Sequence, residues 1–318
     1  MVPRAATPRP SVAGPSQRLL IVANPHASTT TEALLRRVSG ILSRRHRVDA
    51  ALTEHQGHAI ELCRAAATEG YDAVVVLGGD GTINEAANGL AGSATALAPL
   101  PGGATNVYTR MLGLPGEVLS AAERLAGNAP APVRDVDLGR VNDRWFTFSA
   151  GVGLDASTVE RVDRRPRLKA RWGRWFFAGV GLSVFVSRYV RHPPRLEVEL
   201  ADRRLEAVTV LLQNGNPYTY FGARPIVLDP AGGLESGELG GVGLTRASAI
   251  DLPPVLWRAL SGRVVSEHPR VQPLSTREWL VIRSLDGRPV PLQVDGDHLG
   301  AVLEVRATVK PRALRVLG

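Results

Sequence analysis

The chain has 318 residues, room for two domains of ordinary size, with 44% apolar and 21% charged residues. That is the composition of a globular protein, not of a disordered, fibrous or membrane-embedded one. The net charge of +8 favours anionic partners such as nucleotides or acidic phospholipid surfaces, and no nucleic-acid recognition motif accompanies it. The single Cys63 excludes an intramolecular disulfide and suits a reducing cytosol.

Met1 to Gln17 is rich in Pro, Ala, Arg and Ser, lacks the apolar stretch of a signal peptide, and reads as a disordered tail. Arg18 to Ala23 is the first expected strand, closed by Asn24-Pro25-His26-Ala27-Ser28. A helix follows from about Thr31 to Arg45, with Leu34, Leu35, Val38, Ile41 and Leu42 on one face. Val48 to Thr53 is the second strand and Gly57 to Glu69 the second helix. The β-branched run Tyr71 to Val76 is a third, buried strand. This alternation predicts a doubly wound parallel sheet that binds ligands at the carboxyl ends of its strands.

The third strand runs into Gly78-Gly79-Asp80-Gly81-Thr82, and a helix follows to Leu90. A strand, a glycine turn and a helix start aim backbone N–H groups and the positive end of the helix dipole at one spot, where a phosphate is favoured. Asp80 among these donors would repel a bare phosphate; a cation between them, or an anchoring role in the turn, accounts for it. Ala96 to Leu100 is a fourth strand and leads into a second glycine loop, Pro101 to Arg110. Leu119 to Ala126 is a further helix, and Gly127 to Pro132 reads as a linker.

From Val136 the texture changes to short alternating strands, at Arg144–Ser149, Leu196–Leu200, Leu205–Leu212, Ile226–Leu228, Gly241–Leu244, Trp279–Ser284, Val290–Val294 and Ala301–Ala307. These predict an antiparallel sandwich or barrel. The boundary falls near Asp135 to Gly139. Residues 18–138 then form the nucleotide-binding α/β domain, with 308–318 as a candidate return to it, and 139–307 form the second domain. One segment, Leu168 to Tyr189, is aromatic with basic flanks; it is either a helix in a membrane interface or one buried on the sandwich. No apolar run reaches the ~18 residues of a spanning helix.

Read together, six pieces resemble the diacylglycerol kinase/sphingosine kinase-like lipid kinases, relatives of NAD kinases and phosphofructokinases. They are Asn24 to Ser28; Thr53 with Gly57-His58-Ala59; Gly78 to Thr82 with Asn84, Glu85, Asn88 and Gly89; Pro101, Gly103, Asn106 and Arg110; Ala150 to Ala156; and Gln293-Val294-Asp295-Gly296-Asp297. They follow the family's order from about Leu19 to Val305.

The resemblance implies a phosphofructokinase-type α/β domain, a β-sandwich domain, and transfer of the ATP γ-phosphoryl group to a lipid hydroxyl in the cleft between them. It implies that Asn24, Thr53, Gly78, Gly79, Asp80, Gly81, Thr82, Glu85, Gly103, Thr105 and Asn106 hold the nucleotide, with Mg2+. Asp295 would be the general base, with Asp297 beside it and Asp80 acting through the metal or water. Metal candidates are Asp80, Asp297 and Glu235. On spacing alone, Asp295-Gly296 is equally a hairpin turn. A diacylglycerol or a sphingoid/ceramide-type lipid would be the acceptor, met by a cytoplasmic chain peripheral to the inner membrane face; a homodimer is compatible with this and not required.

Three departures stand out. Ala104 and Val107 replace the family's Thr and Asp in the second glycine loop. Glu235 and Ser236 replace two aspartates of a stretch that helps hold a structural Mg2+, and the first loop lacks its usual glycine. Alternatives are an NAD kinase, which would leave Asn106 and Arg110 unexplained, and a non-catalytic nucleotide- or membrane-binding protein.

Overall fold

The computed structural model describes residues 16–27, 29–127, 132–163, 192–248 and 250–318, with isolated positions 180, 183 and 189. The Met1–Gln17 tail up to residue 15, Ser28 of the first loop, residues 128–131 of the expected linker, and most of the Leu168–Tyr189 segment lie outside the described residues.

The first half alternates β1 (Arg18–Ala23), α1 (Glu32–Leu42), β2 (Arg47–Leu52), α2 (His58–Thr68), β3 (Ala73–Gly78), α3 (Asp80–Leu90), β4 (Ala96–Pro101), α4 (Val107–Met111) and α5 (Val118–Leu125). The strands pair in parallel in the order β2-β1-β3-β4. β3 is buried throughout because both sheet faces are covered. Val74 and Val76 meet α2 and α3 through Ala59, Cys63, Ile83 and Ala87. Val75 and Leu77 meet α1 and α5 through Val38, Leu42, Val118 and Ala122. A strand whose alternate residues serve two cores must be apolar at every position, which is why it reads as an unbroken run.

The second half contains β5 (Val133–Val141), β6 (Arg144–Phe146), β7 (Ser149–Val152), α6 (Leu154–Asp163), β8 (Leu196–Leu200), β9 (Arg204–Ala207), β10 (Thr209–Gln213), β11 (Thr219–Phe221), β12 (Arg224–Ile226), β13 (Leu239–Leu244), α7 (Leu252–Ser261), β14 (Val271–Thr276), β15 (Trp279–Ser284), β16 (Val290–Val294), β17 (Asp297–Val302) and β18 (Glu304–Leu317). An antiparallel sheet of order β14-β13-β10-β7-β16-β17 faces β8, β15 and the first half of β18. Val152, Val210, Leu212, Leu274 and Val294 from one side meet Val198, Leu280, Ile282, Val305 and Ala307 from the other in one core. This is the two-layer packing of a β-sandwich.

β18 ties the two halves together. Its start pairs with β15 and its end with β4. It shifts register between Lys310 and Leu314, where Arg312 has φ +51°. β5 runs beside it without a break from Val133 to Val141, through Asp135–Gly139. The expected strand Leu205–Leu212 is two strands. β9 pairs with β8 and β10 with β7 and β13, so the chain changes sheets at Val208. The expected Ile226–Leu228 strand lies earlier, as β12 paired with β11.

Candidate active site

The carboxyl ends of the parallel strands bring the first set of residues together. Ala23 pairs in register with Leu52 and Leu77, and Leu77 with Leu100. Asn24, Thr53, Gly78–Thr82 and Gly102–Asn106 therefore line one rim. Asn24 Nδ2 donates to Thr82 Oγ1 at 3.1 Å, and Asn24 Oδ1 accepts from the His26 amide at 2.9 Å, so the first loop is fastened to the glycine turn. Thr53 is buried, and its amide donates to the Ala23 carbonyl.

α3 starts at Asp80, three residues before the helix start expected at Ile83. Its N-cap Gly79 has no side chain to satisfy the first-turn amides, which have no partners within a helix. The two glycine loops pack backbone to backbone. A Cβ on Gly103 would stand 2.6 Å from Gly79 Cα, closer than carbon atoms can approach. Asn106, at φ +52°, braces the second loop. Its Oδ1 accepts from the Gly103 amide and its Nδ2 donates to the Gly103 carbonyl, both at 2.8 Å. Thr105 is exposed at the loop tip.

Asp80 is the link between the loops. Its Oδ2 accepts from the Val107 amide at 3.0 Å and its Oδ1 from the Tyr108 amide at 3.1 Å, so it caps α4 from the first turn of α3. Burial pushes its carboxyl up to about 6, against the pull of those two amides. Glu85 turns away from the rim. Its carboxylate accepts from the Gly57 and Ala59 amides at 2.8 and 3.2 Å, capping α2, whose N-cap glycine has no side chain to do so.

Asp295 and Gly296 form the two-residue turn between β16 and β17, at φ +47° and +86°. The Asp295 carboxylate is buried among five donors. Oδ1 accepts from the Phe148 and Ser149 amides at 3.0 and 2.9 Å. Oδ2 accepts from Asn84 Nδ2, the Thr147 amide and Thr147 Oγ1, each at 2.7 Å. A carboxylate offers about four lone-pair sites, so this one is saturated. Burial raises its pKa while the donors around it oppose the rise. Asp297, two residues on, faces the glycine turn: a Cβ on Gly81 would stand 3.1 Å from Asp297 Oδ2.

Behind this hairpin stand Asn84, Asp155 and Gln293, which the sequence placed in motifs without a role, together with Arg144 and Tyr218, which it did not single out. Asn84 is fully buried, and its Oδ1 accepts from Arg144 Nη2 at 2.7 Å. Gln293 Oε1 accepts from the Gly296 amide at 2.9 Å, and its Nε2 donates to Asp155 Oδ2 at 2.6 Å. Tyr218 OH donates to the same oxygen at 2.8 Å. Burial raises the pKa of Asp155.

Glu235 is ion-paired with Arg134 at 2.6 Å. Ser236 Oγ donates to the Gly233 and Glu238 carbonyls. The buried Asp137 accepts from the Gly237 and Arg312 amides at 2.6 and 2.9 Å. Among the described residues no three His, Cys, Asp or Glu side chains are grouped to hold a metal. The stretch is already closed by an arginine and by backbone amides, and these residues do not fit a structural Mg2+ there.

The diacylglycerol kinase catalytic domain matches residues 18–141, from β1 to the end of β5. A diacylglycerol kinase of Bacillus subtilis is 26% identical over 77% of this chain and 77% of its own length. Residues 18–141 are therefore similar to the catalytic domain of diacylglycerol kinases, and most of the chain is similar to a lipid kinase of that kind. A diacylglycerol kinase of Mycobacterium tuberculosis is 32% identical over 51% of this chain and 52% of its own. A crystal structure of a diacylglycerol kinase from Bacillus anthracis shares the fold, with a TM-score of 0.70 and 19% identity over 95% and 96% of the two chains. These likenesses support a lipid kinase, with ATP as phosphoryl donor and a lipid as acceptor implied by the relatives. Among the described residues no helix is long and apolar enough to cross a membrane.

Proposed function

We propose that the enzyme transfers the γ-phosphoryl group of ATP to the free hydroxyl of diacylglycerol. The observation that carries this reading is the placing of Asp297, on a hairpin of the sandwich, against Gly81 of the uncapped helix start. Phosphoryl transfer needs positioning and charge neutralisation more than covalent chemistry. A phosphate-binding turn with a carboxylate opposite it supplies both ends of the reaction.

In this reading, residues 18–138, with 308–318 returning to them, bind ATP, and 139–307 present the acceptor. The first-turn amides of α3 and the loop around Gly103, Thr105 and Asn106 hold the phosphates. Asn24 and Thr53 line the rim. Asp80 and Glu85 keep the two loops and α2 in register instead of touching the nucleotide. Asp297 takes the proton of the lipid hydroxyl, or acts through the cation, while the saturated Asp295 holds the hairpin in place. A nucleotide-borne Mg2+ needs only one or two carboxylates besides phosphate and water, a demand that Asp297 fits; bound there, it would neutralise phosphate charge. The choice of diacylglycerol over sphingoid bases or ceramide follows the relatives named above.

Labelled ATP incubated with mixed micelles of diacylglycerol, ceramide and sphingoid bases tests the reading. Label in phosphatidic acid supports it; label only in a sphingolipid moves the acceptor class, and none in any lipid overturns it.

A further inference from the structure

The outward face of α7 inverts the pattern expected of a water-facing helix. Pro253, Leu256, Trp257 and Leu260 follow the i, i+3, i+4, i+7 spacing of one helical face. All four are exposed, Leu256 by 41%, Trp257 by 67% and Leu260 by 38%, and Ile250 just before the helix by 83%. The opposite face carries Val255 and Ala259, packed on a cluster that includes Val208, Tyr218 and Val242. The helix has one charged residue, Arg258, and it is drawn inward. Its Nε donates to the Val264 carbonyl at 3.0 Å, and its Nη2 pairs with Glu267. Single exposed apolar side chains need no explanation, but a contiguous apolar face does.

We propose that this face seats the enzyme on an anionic phospholipid bilayer. The proposal deepens the lipid-acceptor reading and rests on it. Three observations choose the occupant. Arg263 follows the helix directly and Arg270 pairs at 3.9 Å with Asp251 at the helix start, both arginines exposed, on a chain whose net charge is +8, so the rim keeps a positive excess that suits acidic headgroups. A tryptophan at the centre of a short apolar face is the side chain that partitions into the headgroup boundary. Ten residues of helix are about 15 Å long, and one face of such a helix falls well short of the ~800 Å² per partner of a stable protein interface.

The layer beneath α7 also leads to the site. Tyr218 packs in the cluster under the helix and donates to Asp155, which together with Gln293 holds the Asp295-Gly296 turn. Docking at α7 would bring the acceptor side of the cleft to the bilayer that contains the acceptor.

The test uses the full chain and sedimentation with vesicles of phosphatidylglycerol and phosphatidylcholine, without diacylglycerol or ATP, so it reads docking apart from turnover. The wild type is expected to bind, and less so as salt is raised. Trp257→Ala with Leu260→Ser should weaken binding tenfold or more, by about the burial lost, while turnover of a water-soluble short-chain diacylglycerol is unchanged. As a second arm, Trp257→Phe keeps the packing and should lose most of the blue shift that tryptophan emission shows on vesicles. Equal binding by wild type and double variant, or no binding by wild type, overturns the proposal. So does a wild-type dimer that the double variant dissolves, which would assign the face to a second copy of the chain.

Discussion

Asn84 and Asp295, one on the helix of the glycine turn and the other at the tip of a hairpin in the sandwich, meet at 2.7 Å in a buried contact between the two halves of the molecule. Asn84 also donates to the Trp145 carbonyl and accepts from Arg144. The hairpin is thereby locked against α3, and Asp297 beside it is aimed at Gly81.

The two hairpin carboxylates should separate by mutation. Asp295→Asn puts an NH2 group against donors and leaves buried amides unpaired, at about 1–3 kcal/mol for each unsatisfied group. The melting temperature should fall by several degrees, measured by calorimetry, and activity should fall with it. Asp297→Asn should melt as the wild type does.

Asp80 gives a pH signature. Its pKa is raised to about 6 by burial, so the folded state binds this proton more tightly than the unfolded chain. Ionised Asp80 therefore lowers stability at neutral pH, and its contribution improves as pH falls from above 6 toward the ordinary carboxylate value, by about 3 kcal/mol at the limit. Activity should move the other way. A protonated Asp80 loses an acceptor for the α4 amides, so kcat/KM for ATP should fall as pH drops through about 6. Asp80→Asn should flatten both slopes and lower kcat/KM about tenfold or more at pH 8.

Gly103→Ala should be severe without touching any charge. Its methyl group would sit 2.6 Å from Gly79 Cα, and backbone cannot yield as a flexible side chain can. Forcing the loops apart should raise the KM for ATP more than tenfold, with normal expression and a modest loss of melting temperature.

Removing divalent cations should leave the fold untouched. The Glu235–Arg134 pair and the Asp137 hydrogen bonds close the 234–239 stretch, so the nucleotide-free melting temperature should be the same in Mg2+ and in EDTA. Arg134→Ala should lower it by an amount worth about 1 kcal/mol or less, since the pair is solvent-exposed.

The parts of the fold legible in the sequence were those whose signal is local. β3 is buried on both faces, and the glycine turn must follow it. β5 was hidden because Arg134, Asp135 and Asp137 interrupt any apolar pattern, although Asp137 is buried to receive amides from two distant loops. Pro253-Pro254 marks a loop on paper, yet both residues fit the first turn of α7, where amides have no helical partner. The site was half legible. Asp-Gly between strands states a turn, and the turn is there. The saturation of Asp295 comes from Thr147, Phe148 and Ser149, more than 140 positions earlier, and no local pattern records that meeting. Glu85 and Asp80 were legible as site residues by their position, but not as helix caps, because the amides they receive belong to other segments.

The central claim is that Asp297 faces the ATP phosphates across the glycine turn and serves the acceptor hydroxyl. Its most direct test is the rate of labelled phosphatidic acid formation by Asp297→Asn, read beside its ATP affinity by calorimetry. The account predicts a loss of kcat of at least about a hundredfold with ATP still bound. Turnover near the wild-type rate would contradict it.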